Sequence, residues 1–314
     1  MRLSPQLFLS RKFFTRQHSV ALKKQVAEMQ PDLRPRLMTA ADLPACDELR
    51  SLAGWNQTMR DWEQFLAAQP DGCFVVEEHG RAIGAVTTAS YQSALAWIGM
   101  MLVHPAERRR GVGRSLMEHC LKFLDDRGVR CVKLDATSVG QPLYEQLGFA
   151  TEWTLTRRAR TESESRLPNT ATLCRDFDIS DFNQLVELDT AAFGVPRAEL
   201  LGRLVKRSER VVVVETNGKL AGFGMLRSGA RAQYLGPVVA VSSESAQPIV
   251  NELLITAGSK SIFWDIPDLN ADAVRLSVAC GFEQARRLTR MTRGEHHVVH
   301  QPQRIFGIAD PALG

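Results

Sequence analysis

The chain has 314 residues, of which 44% are hydrophobic and 24% are charged, and its formal net charge is +4 at pH 7. This composition is typical of a soluble globular protein with room for two domains, and it excludes a largely disordered chain. No apolar run approaches the roughly 18 residues of a membrane span, and the six cysteines form no CxxC pair, which argues against a membrane segment, a disulfide framework and a zinc site.

The positive charge is concentrated at the beginning of the chain. Residues 1–36 carry eight Lys or Arg against two Asp or Glu, which leaves the remainder at −2. A near-neutral body argues against a nucleic-acid-binding core. Residues 1–32 are predicted to be a basic, poorly ordered extension of a cytoplasmic protein. A mitochondrial presequence is the alternative, because no acid occurs from Met1 to Ala27.

Regular patterns begin after Leu33 and predict a mixed α/β domain over residues 33–158. Ala94–Val103 is an almost continuous apolar run, which predicts a central strand buried on both faces. The predicted strands are Arg34–Met38, Cys73–Glu78, Ala82–Ser90, Ala94–Val103, Val132–Ala136 and Phe149–Thr156, and the predicted helices are Ala40–Leu52, Asp61–Ala68, Ser115–Asp126 and Gln141–Leu147.

The second half of the chain repeats the pattern of the first. Phe74–Gly84 aligns with Val212–Gly222 at a constant offset of 138 residues, and the Gly-Phe pair at 148–149 recurs at 281–282. Two turn glycines in register and the same ending predict an internal duplication. Residues 159–170 are polar, charged and broken by Pro168, which indicates a linker between domains at 33–158 and 171–314.

The stretch from Glu107 to Leu116 reads ERRRGVGRSL, and it lies between the buried strand and a helix. A helix N-terminus offers unpaired N–H groups and a partial positive charge. Gly111 and Gly113 let this backbone curl and come close to a ligand, which suits a pyrophosphate. The dinucleotide-binding G-x-G-x-x-G spacing and the Gly-Lys-Ser/Thr of the P-loop are both absent from the sequence.

These residues resemble the GNAT superfamily of acyl-CoA-dependent N-acyltransferases. The similarity lies in Met101–Pro105, in the motif Arg108-x-x-Gly111-x-Gly113 and in the ending Leu143–Phe149, and it covers residues 33–158. It implies an α/β fold of the α+β kind, with two GNAT-like domains, each a mixed, mostly antiparallel central sheet flanked by helices. The paired layout looks like a subfamily in which a divergent second GNAT-like domain follows the first.

The resemblance implies acetyl-CoA as cosubstrate, with its pantetheine arm along a strand end that diverges from its neighbour. A backbone N–H at Met101 or Leu102 would stabilise the oxyanion. Tyr144 matches the family's usual general acid, which protonates the leaving thiolate. The cofactor-binding residues expected on this basis are Met101, Leu102, Val103, Arg108, Arg109, Arg110, Gly111, Val112, Gly113, Arg114, Ser115 and Thr137.

Three features of this site depart from the family pattern or stay open. His104 and Asp135 are candidates for the general base, and a water relay is the alternative. Thr137 stands where many relatives carry an asparagine. Trp55, Trp62 and Trp97 are candidates for the acceptor side of the site, with ordinary core packing as the alternative.

The second domain departs much further from the family. Val241–Val250 takes the place of the phosphate loop, but it has no glycine pair and it contains Pro248. Ser277 takes the position of Tyr144, while Asn270 restores the family asparagine. This domain is therefore expected to lack CoA binding and to support the acceptor pocket or the pairing of the domains. The histidines at 296, 297 and 300 are interpreted as part of a solvated strand or turn, and no metal is predicted.

Together these features predict an enzyme, an N-acetyltransferase that moves an acetyl group from acetyl-CoA to a primary amine by direct attack in a ternary complex. The acceptor is expected to be a small molecule or a peptide amine, with no nucleic-acid or membrane partner. The alternative is a non-catalytic acyl-CoA-binding regulatory or scaffold protein. The sequence names neither the acceptor nor the oligomeric state.

Overall fold

The computed structural model of the protein describes residues 33–161, 174–295 and 300–314. The predicted extension at 1–32 and residues 162–170 of the predicted linker lie outside these ranges. Within them, the chain forms eight α-helices and a 13-stranded sheet. No helix in the described part of the chain is both long and apolar enough to cross a membrane.

The first half follows the predicted order of elements, with one difference that concerns the site. The helix after the glycine-rich loop begins at Val112 and not at Ser115, so the second half of that loop is helical. The elements are β1 (Arg36–Leu37), α1 (Leu43–Leu52), α2 (Met59–Ala68), β2 (Cys73–Glu78), β3 (Arg81–Tyr91), β4 (Leu95–Val103), α3 (Val112–Asp126), β5 (Cys131–Ala136), α4 (Gln141–Gln146) and β6 (Ala150–Arg160).

The second half repeats this order, as the internal alignment predicts, and then adds one further strand. Its elements are β7 (Cys174–Asp176), α5 (Phe182–Phe193), α6 (Ala198–Arg207), β8 (Arg210–Thr216), β9 (Lys219–Arg227), β10 (Gln233–Ala240), α7 (Ser243–Ala257), β11 (Ile262–Pro267), α8 (Ala271–Ala279), β12 (Glu283–Gly294) and β13 (Ile305–Gly307).

Local sequence explains where several helices begin and which face they bury. Thr58 and Asp61 form a capping box at the start of α2, where each side chain satisfies a backbone amide of the first turn. Leu116, Cys120 and Leu124 recur along α3 at helical spacing, and all three are buried. This stripe packs α3 against one face of the sheet.

The strands form one mixed sheet in the order β1-β2-β3-β4-β5-β12-β6-β11-β10-β9-β8-β7, and β13 pairs with β10. Among the described strands, only β4 with β5 and β10 with β11 pair in parallel, so the sheet is mostly antiparallel. Helices α3 and α7 each cover an apolar cluster of their own half. A third apolar cluster includes side chains of α1, α2, α5 and α6 and is shared by both halves. The predicted fold class is confirmed.

The two halves complete each other's sheets. β12, from the second half, pairs with β5 of the first half over Thr289–Gly294. β6, from the first half, pairs with β11 of the second half over Leu155–Arg160. Ala159 and Arg160 therefore belong to a strand, and the prediction that the linker begins at 159 is wrong at these two positions. The sequence predicted two sheets, and the structure joins them through exchanged strands.

Two buried ion pairs lie on the exchanged strands. Arg290 of β12 donates to both carboxylate oxygens of Asp135 on β5, at 2.8 and 2.9 Å. Arg157 of β6 donates in the same way to Asp265 on β11, at 2.9 and 2.6 Å. Removing one partner of such a pair leaves an uncompensated buried charge. These pairs therefore fix which strand of one half meets which strand of the other.

The chain after β13 returns to the first half. The Tyr91 hydroxyl donates to the carbonyl of Leu313 at 2.7 Å, and Trp97 Nε1 donates to the carbonyl of Pro311 at 3.0 Å. Leu313 is buried in the apolar cluster that both halves share. We call residues 308–314 the returning segment, and it brings the second half against β3 and β4.

Candidate active site

The strands β4 and β5 diverge in the first half. They pair only at Ala96 with Val132 and at Trp97 with Lys133. β4 then continues to Val103 without a further partner in β5. This leaves the outer part of β4 with a free edge of backbone N–H and C=O groups. The divergence expected from the family resemblance is confirmed.

A β-bulge lies on this free edge. Ala85 of β3 pairs with Leu102 and Thr87 pairs with Gly99, so Met100 and Met101 face a single residue of β3. Met100 has a φ of 48°, a left-handed conformation that is uncommon for a residue with a side chain. Bulges of this kind re-aim backbone groups and often occur next to active sites. Here the bulge turns the backbone at the point where β4 leaves β5.

The N-terminus of α3 lies beside the same strand end. Gly111 is its N-cap residue, with a φ of 93° that favours glycine. The amides of Val112, Gly113 and Arg114 belong to the first turn, so they have no partner within the helix. The helix dipole adds partial positive charge at this position. The arrangement suits an anion such as a pyrophosphate.

Gly113 lets the N-terminus of α3 approach the end of β4 closely. A Cβ atom at this position would lie 3.3 Å from Met101 Cε, 3.6 Å from Val103 Cγ2 and 3.8 Å from Leu143 Cδ2. The first of these distances is already tight, so a larger side chain would have to displace its neighbours. The helix N-terminus and the free edge of β4 are therefore adjacent, as one elongated ligand that contacts both would require.

Two of the loop arginines are engaged by side chains of the protein. Arg110 donates to Glu78, with Nη2 to Oε1 at 2.7 Å, and also pairs with Glu107. Arg114 donates to Gln146. Arg110 is thus neutralised by two carboxylates, which makes its guanidinium less free to meet a phosphate than the sequence suggested.

The remaining loop residues divide between exposed and internal roles. Arg108 Nε donates to the carbonyl of Val103 at 3.4 Å, and Arg109 is exposed with a φ of 65°. The Ser115 hydroxyl donates to the carbonyl of Leu33 at 2.7 Å, and its amide donates to Gly111 at 3.0 Å. Both polar groups of Ser115 are therefore used within the chain.

A cavity of about 50 Å³ lies where β4 and β5 part. Tyr144 lines it, next to the bulge residues Met100 and Met101. Burial raises the pKa of the Tyr144 phenol, and the ring meets Phe149 edge-on at 6.1 Å. A phenol with a raised pKa stays protonated at neutral pH. Tyr144 can therefore donate a proton inside the cavity but cannot readily accept one.

Thr137 lines the same cavity and begins the turn that leads into α4. Its hydroxyl accepts from the Gly140 amide at 3.3 Å, and its carbonyl accepts from the amides of Gly140 and Gln141, both at 3.0 Å. These bonds hold α4, and with it Tyr144, against the cavity.

The two candidates for the general base differ in position. Asp135 lines the cavity, but its carboxylate is engaged by Arg290, whose guanidinium lies between the rings of Trp97 and Trp153. His104 is not among the residues that line the cavity, and its Nδ1 accepts from the Ala106 amide at the end of β4.

The three tryptophans proposed for the acceptor side also differ in position. Trp55 lines the cavity, whereas Trp62 and Trp97 are fully buried. Trp97 donates to the returning segment and stacks on Arg290, so it supports the wall of the site from behind. Core packing accounts for Trp62.

Sequence reasoning missed the cavity residues that come from far along the chain. Arg286 of β12 and Pro311 and Ala312 of the returning segment line the cavity of the first half. Gln57, just before α2, lines it as well and donates to Asp310 at 2.9 Å. Only the position of residue 57 before a helix expected on the acceptor side could have indicated any of them.

The corresponding place in the second half is filled by the chain itself. β10 and β11 pair only at Gln233 with Ile262 and at Tyr234 with Phe263, so they diverge as β4 and β5 do. β13 lies in the gap and pairs with β10 at Val238 and Val239. Ile98-Gly99 matches Leu235-Gly236 at an offset of 137 residues, so these two residues correspond to positions 101 and 102.

Residues of the second half that align with the first site have structural partners. Asn270 caps α8 and donates to the carbonyls of Pro302, Gln303 and Ile305, at 3.0 to 3.2 Å. Ser277 donates to the carbonyl of Val274 at 2.7 Å. Asn270 therefore supports the chain around β13, whereas the Ser277 hydroxyl is used within α8.

The histidine cluster is only partly described, because His296 and His297 lie outside the described residues. His300 is buried against Phe193, with ring centroids 5.0 Å apart. Burial, and then the charge of Lys133, holds the pKa of His300 well below its ordinary value. Among the residues that the structure describes, no group of three or more His, Cys, Asp or Glu could hold a metal ion.

Both halves match family models. Residues 41–149 match the acetyltransferase (GNAT) family, and residues 185–307 match an acetyltransferase (GNAT) domain. The first match includes the diverging strands, the N-terminus of α3 and Tyr144. The second match includes β10 and the strand that fills its gap.

Similar proteins agree with this assignment. The chain is 30% identical to the uncharacterized N-acetyltransferase YitH of Bacillus subtilis over 160 residues, which is 51% of this chain and 56% of YitH. A crystal structure of a Pyrococcus horikoshii protein assigned as an acetyltransferase is 26% identical, with a TM-score of 0.76, over 89% of this chain and 95% of that one.

A tandem GNAT protein from the clavulanic acid biosynthesis pathway shares the fold at 16% identity, with a TM-score of 0.60, over 83% of this chain and 97% of that one. The two family matches, the duplicated elements and the diverging strands all agree. The chain belongs to the GNAT superfamily of acetyltransferases, as a tandem protein with a GNAT domain in each half.

Proposed function

We propose that the protein is an N-acetyltransferase that transfers the acetyl group of acetyl-CoA to a primary amine at one site, in the first half of the chain. One observation carries this proposal: Gly113 brings a helix N-terminus close to a bulged strand edge, and Tyr144 lines the cavity where that strand leaves its neighbour. An acyl-CoA presents a pyrophosphate, a thioester oxygen and a leaving sulfur, which call for an anion site, an oxyanion donor and an acid.

The residues present fit the cosubstrate. The first-turn amides of α3 at Val112, Gly113 and Arg114 would hold the pyrophosphate, and exposed Arg109 would add charge nearby. The free edge of β4 from Met101 to Val103 would pair with the amides of the pantetheine arm, as an added strand does. Acetyl-CoA would then supply an activated acyl group.

The backbone of β4 and the Tyr144 phenol would each assist one part of the reaction. The Met101 or Leu102 amide would donate to the thioester oxygen as negative charge develops there during amine attack. Tyr144 would donate its proton to the departing sulfur. Because Arg290 occupies the carboxylate of Asp135, we propose that water removes the proton of the amine.

We further propose that the domains meet near the predicted boundaries, with the first extended through β6 to Arg160. The second domain would bind no CoA, because β13 takes the place of the arm. It would instead complete the sheet and the acceptor cavity of the first.

Two measurements on the full-length protein test the proposed function. Calorimetry should detect binding of acetyl-CoA with one site per chain. Release of free thiol from acetyl-CoA should then depend on an added amine, drawn from a panel of amino acids, polyamines and peptides. Absence of binding at millimolar acetyl-CoA would reject the assignment. Binding without release for any amine, at any pH between 6 and 9, would favour the non-catalytic acyl-CoA-binding alternative.

A further inference from the structure

Arg286 brings an uncompensated positive charge to the acceptor side of the cavity. It lies on β12, the strand that the second half contributes to the first, and it lines the cavity together with Tyr144. Its Nε atom is buried and has no hydrogen-bond partner in the described part of the chain. It also makes no ion pair with any described residue.

Three buried arginines of the protein each hold a carboxylate. Arg290 is paired with Asp135, Arg157 with Asp265, and Arg197 with Asp189. Burial lowers the pKa of Arg286, so its surroundings disfavour the charge that it carries. Arg286 is half-buried, but its Nε donor is buried without a partner among the described residues, which is costly, and an anionic ligand would supply that partner. Arginine matches a carboxylate through two parallel hydrogen bonds.

A second group in the cavity suits the amine end of a ligand. Gln57 lines the cavity, and its Nε2 donates to Asp310 Oδ1 at 2.9 Å. Because the carboxylate takes the amide nitrogen, Oε1 must point elsewhere, and it has no hydrogen-bond partner among the described residues. The Ala312 amide also donates to Asp310 Oδ1, at 2.8 Å, and helps to fix this orientation. Oε1 of Gln57 can thus accept from an N–H group in the cavity.

The size of the cavity limits the acceptor. A volume of about 50 Å³ holds roughly four water-sized groups, because one such group occupies about 10–15 Å³. An amine, one carbon and a carboxylate, five non-hydrogen atoms in all, come close to this size. A long polyamine or a large ring would have to leave most of its atoms outside.

We propose that the acceptor is a compact amine that carries a carboxylate, of the amino-acid class, with its carboxylate on Arg286 and its amine on Gln57. This rests on the proposed function, because it names the acceptor of the same site. The second half would then contribute a specificity-determining residue to the active site of the first.

The test compares acceptors that differ only in charge. Full-length protein and saturating acetyl-CoA are incubated with each of the common amino acids, with the corresponding amino-acid amides and with the amines that lack the carboxylate. Thiol release is measured for each. We expect kcat/KM for an accepted amino acid to exceed that for its amide by about 30-fold, the worth of a charged hydrogen bond near 2 kcal/mol.

Substitutions then assign the preference to Arg286. Arg286→Gln should raise KM for the amino acid by about 30-fold, with little change for the amide, and Arg286→Lys should restore part of the loss. Binding of acetyl-CoA should not change in either variant. Arg287→Gln is the matched control, since it removes the same charge from the neighbouring residue, which pairs with Asp268 at the surface.

The outcomes separate the two proposals. If the unchanged protein does not bind acetyl-CoA, the proposed function itself is rejected. If acetyl-CoA binds, equal or faster transfer to the amides would overturn the role of Arg286, and so would a protein that acetylates none of the amino acids. A preference for amino acids that persists in Arg286→Gln would also overturn it.

Discussion

The two halves of this molecule share one fold, but only one of them keeps an open cleft. In both halves a pair of parallel strands separates after two residue pairs. In the first half the gap leads to a cavity, and the N-terminus of α3 lies beside the free strand edge. In the second half β13 fills the gap and hydrogen-bonds to the free strand edge. The comparison teaches that a divergent strand pair is a property of the fold, and that a site requires the gap to stay open.

The same comparison explains the fate of individual residues. Trp264 Nε1 donates to the carbonyl of Phe306 at 2.8 Å, and Asn270 donates to three carbonyls of the segment before β13 and at its start. These side chains hold in place the strand that occupies the gap. Asn270, which stands at the position of the family asparagine, thus supports the chain that fills the gap.

The largest expected effect concerns the close approach of α3 and β4 at Gly113. Gly113→Leu should weaken acetyl-CoA binding by about 1,000-fold, because the side chain would separate the helix N-terminus from the end of β4, where the pyrophosphate and the arm are proposed to bind, a loss of about 4 kcal/mol. Calorimetry measures the change. Glu244→Leu places the same side chain in the first turn of α7 and should leave binding unaltered. If both variants bind acetyl-CoA normally, the ligand does not bind at the N-terminus of α3.

The next prediction concerns the exchanged strands. Arg290→Gln should lower the free energy of unfolding by about 4 kcal/mol, because it leaves Asp135 buried without its partner. Arg157→Gln should have a similar effect through Asp265. Denaturant unfolding measures both. Arg293 lies on the same strand as Arg290 and makes an exposed pair with Asp125. Arg293→Gln should lower the free energy of unfolding by less than about 1 kcal/mol. If Arg290→Gln and Arg157→Gln cost no more than Arg293→Gln, the pairing of the exchanged strands does not depend on the two buried ion pairs.

A third prediction concerns the returning segment and pH. Burial raises the pKa of Asp310 to about 6, above its ordinary value, so the folded state holds this proton more tightly than the unfolded state. The stabilisation is complete below about pH 4 and is lost as pH rises to 6, which amounts to about 3 kcal/mol. Asp310→Asn should therefore gain about that much relative to the parent between pH 4 and 7.

Asp61, which adds to the shift, and Arg227, which opposes it, are the nearby charges to hold constant. Unfolding free energies at the two pH values measure the difference. A difference between variant and parent that is the same at pH 4 and pH 7 would contradict the assignment to Asp310.

The smallest expected effect separates chemistry from binding. Tyr144→Phe should lower kcat by about 100-fold, because the leaving thiolate loses its proton donor, while the affinity for acetyl-CoA stays the same. Ser277→Ala changes the aligned residue of the second half and should leave kcat unaltered. Thiol-release assays measure kcat, and calorimetry measures the affinity for acetyl-CoA. An unchanged kcat in Tyr144→Phe would remove this residue from the acid role.

The sequence predicts those features of the protein that local patterns encode. The buried run of β4, the glycines at 111 and 113 and the ending around Tyr144 are close together in the chain, and their spacing indicates the loop, the helix and the cleft. The alignment of the halves predicts the duplication as well. Each of these depends on neighbouring residues, whose contacts the periodicity of strands and helices already determines.

The sequence does not predict features that arise from distant pairing. Gln57 and Asp310 are 253 positions apart, and Arg290 and Asp135 are 155 positions apart. An arginine on a strand has the same local pattern whether it meets a carboxylate, water or a ligand. The strand beside β5 could be β6 of the same half or β12 of the other half. No local sequence pattern determines which of the two pairs with it.

The exchange of β6 and β12 has a consequence for how the protein acquires its structure. When the ribosome has released the first half, the edge of β5 still lacks the strand that will cover it, because that strand is synthesised more than a hundred residues later. An exposed strand edge is prone to pair with other chains, and contacts between residues so far apart in the sequence form slowly. We therefore expect the two halves to fold as one cooperative unit, and a truncated first half to aggregate instead of forming a small active enzyme.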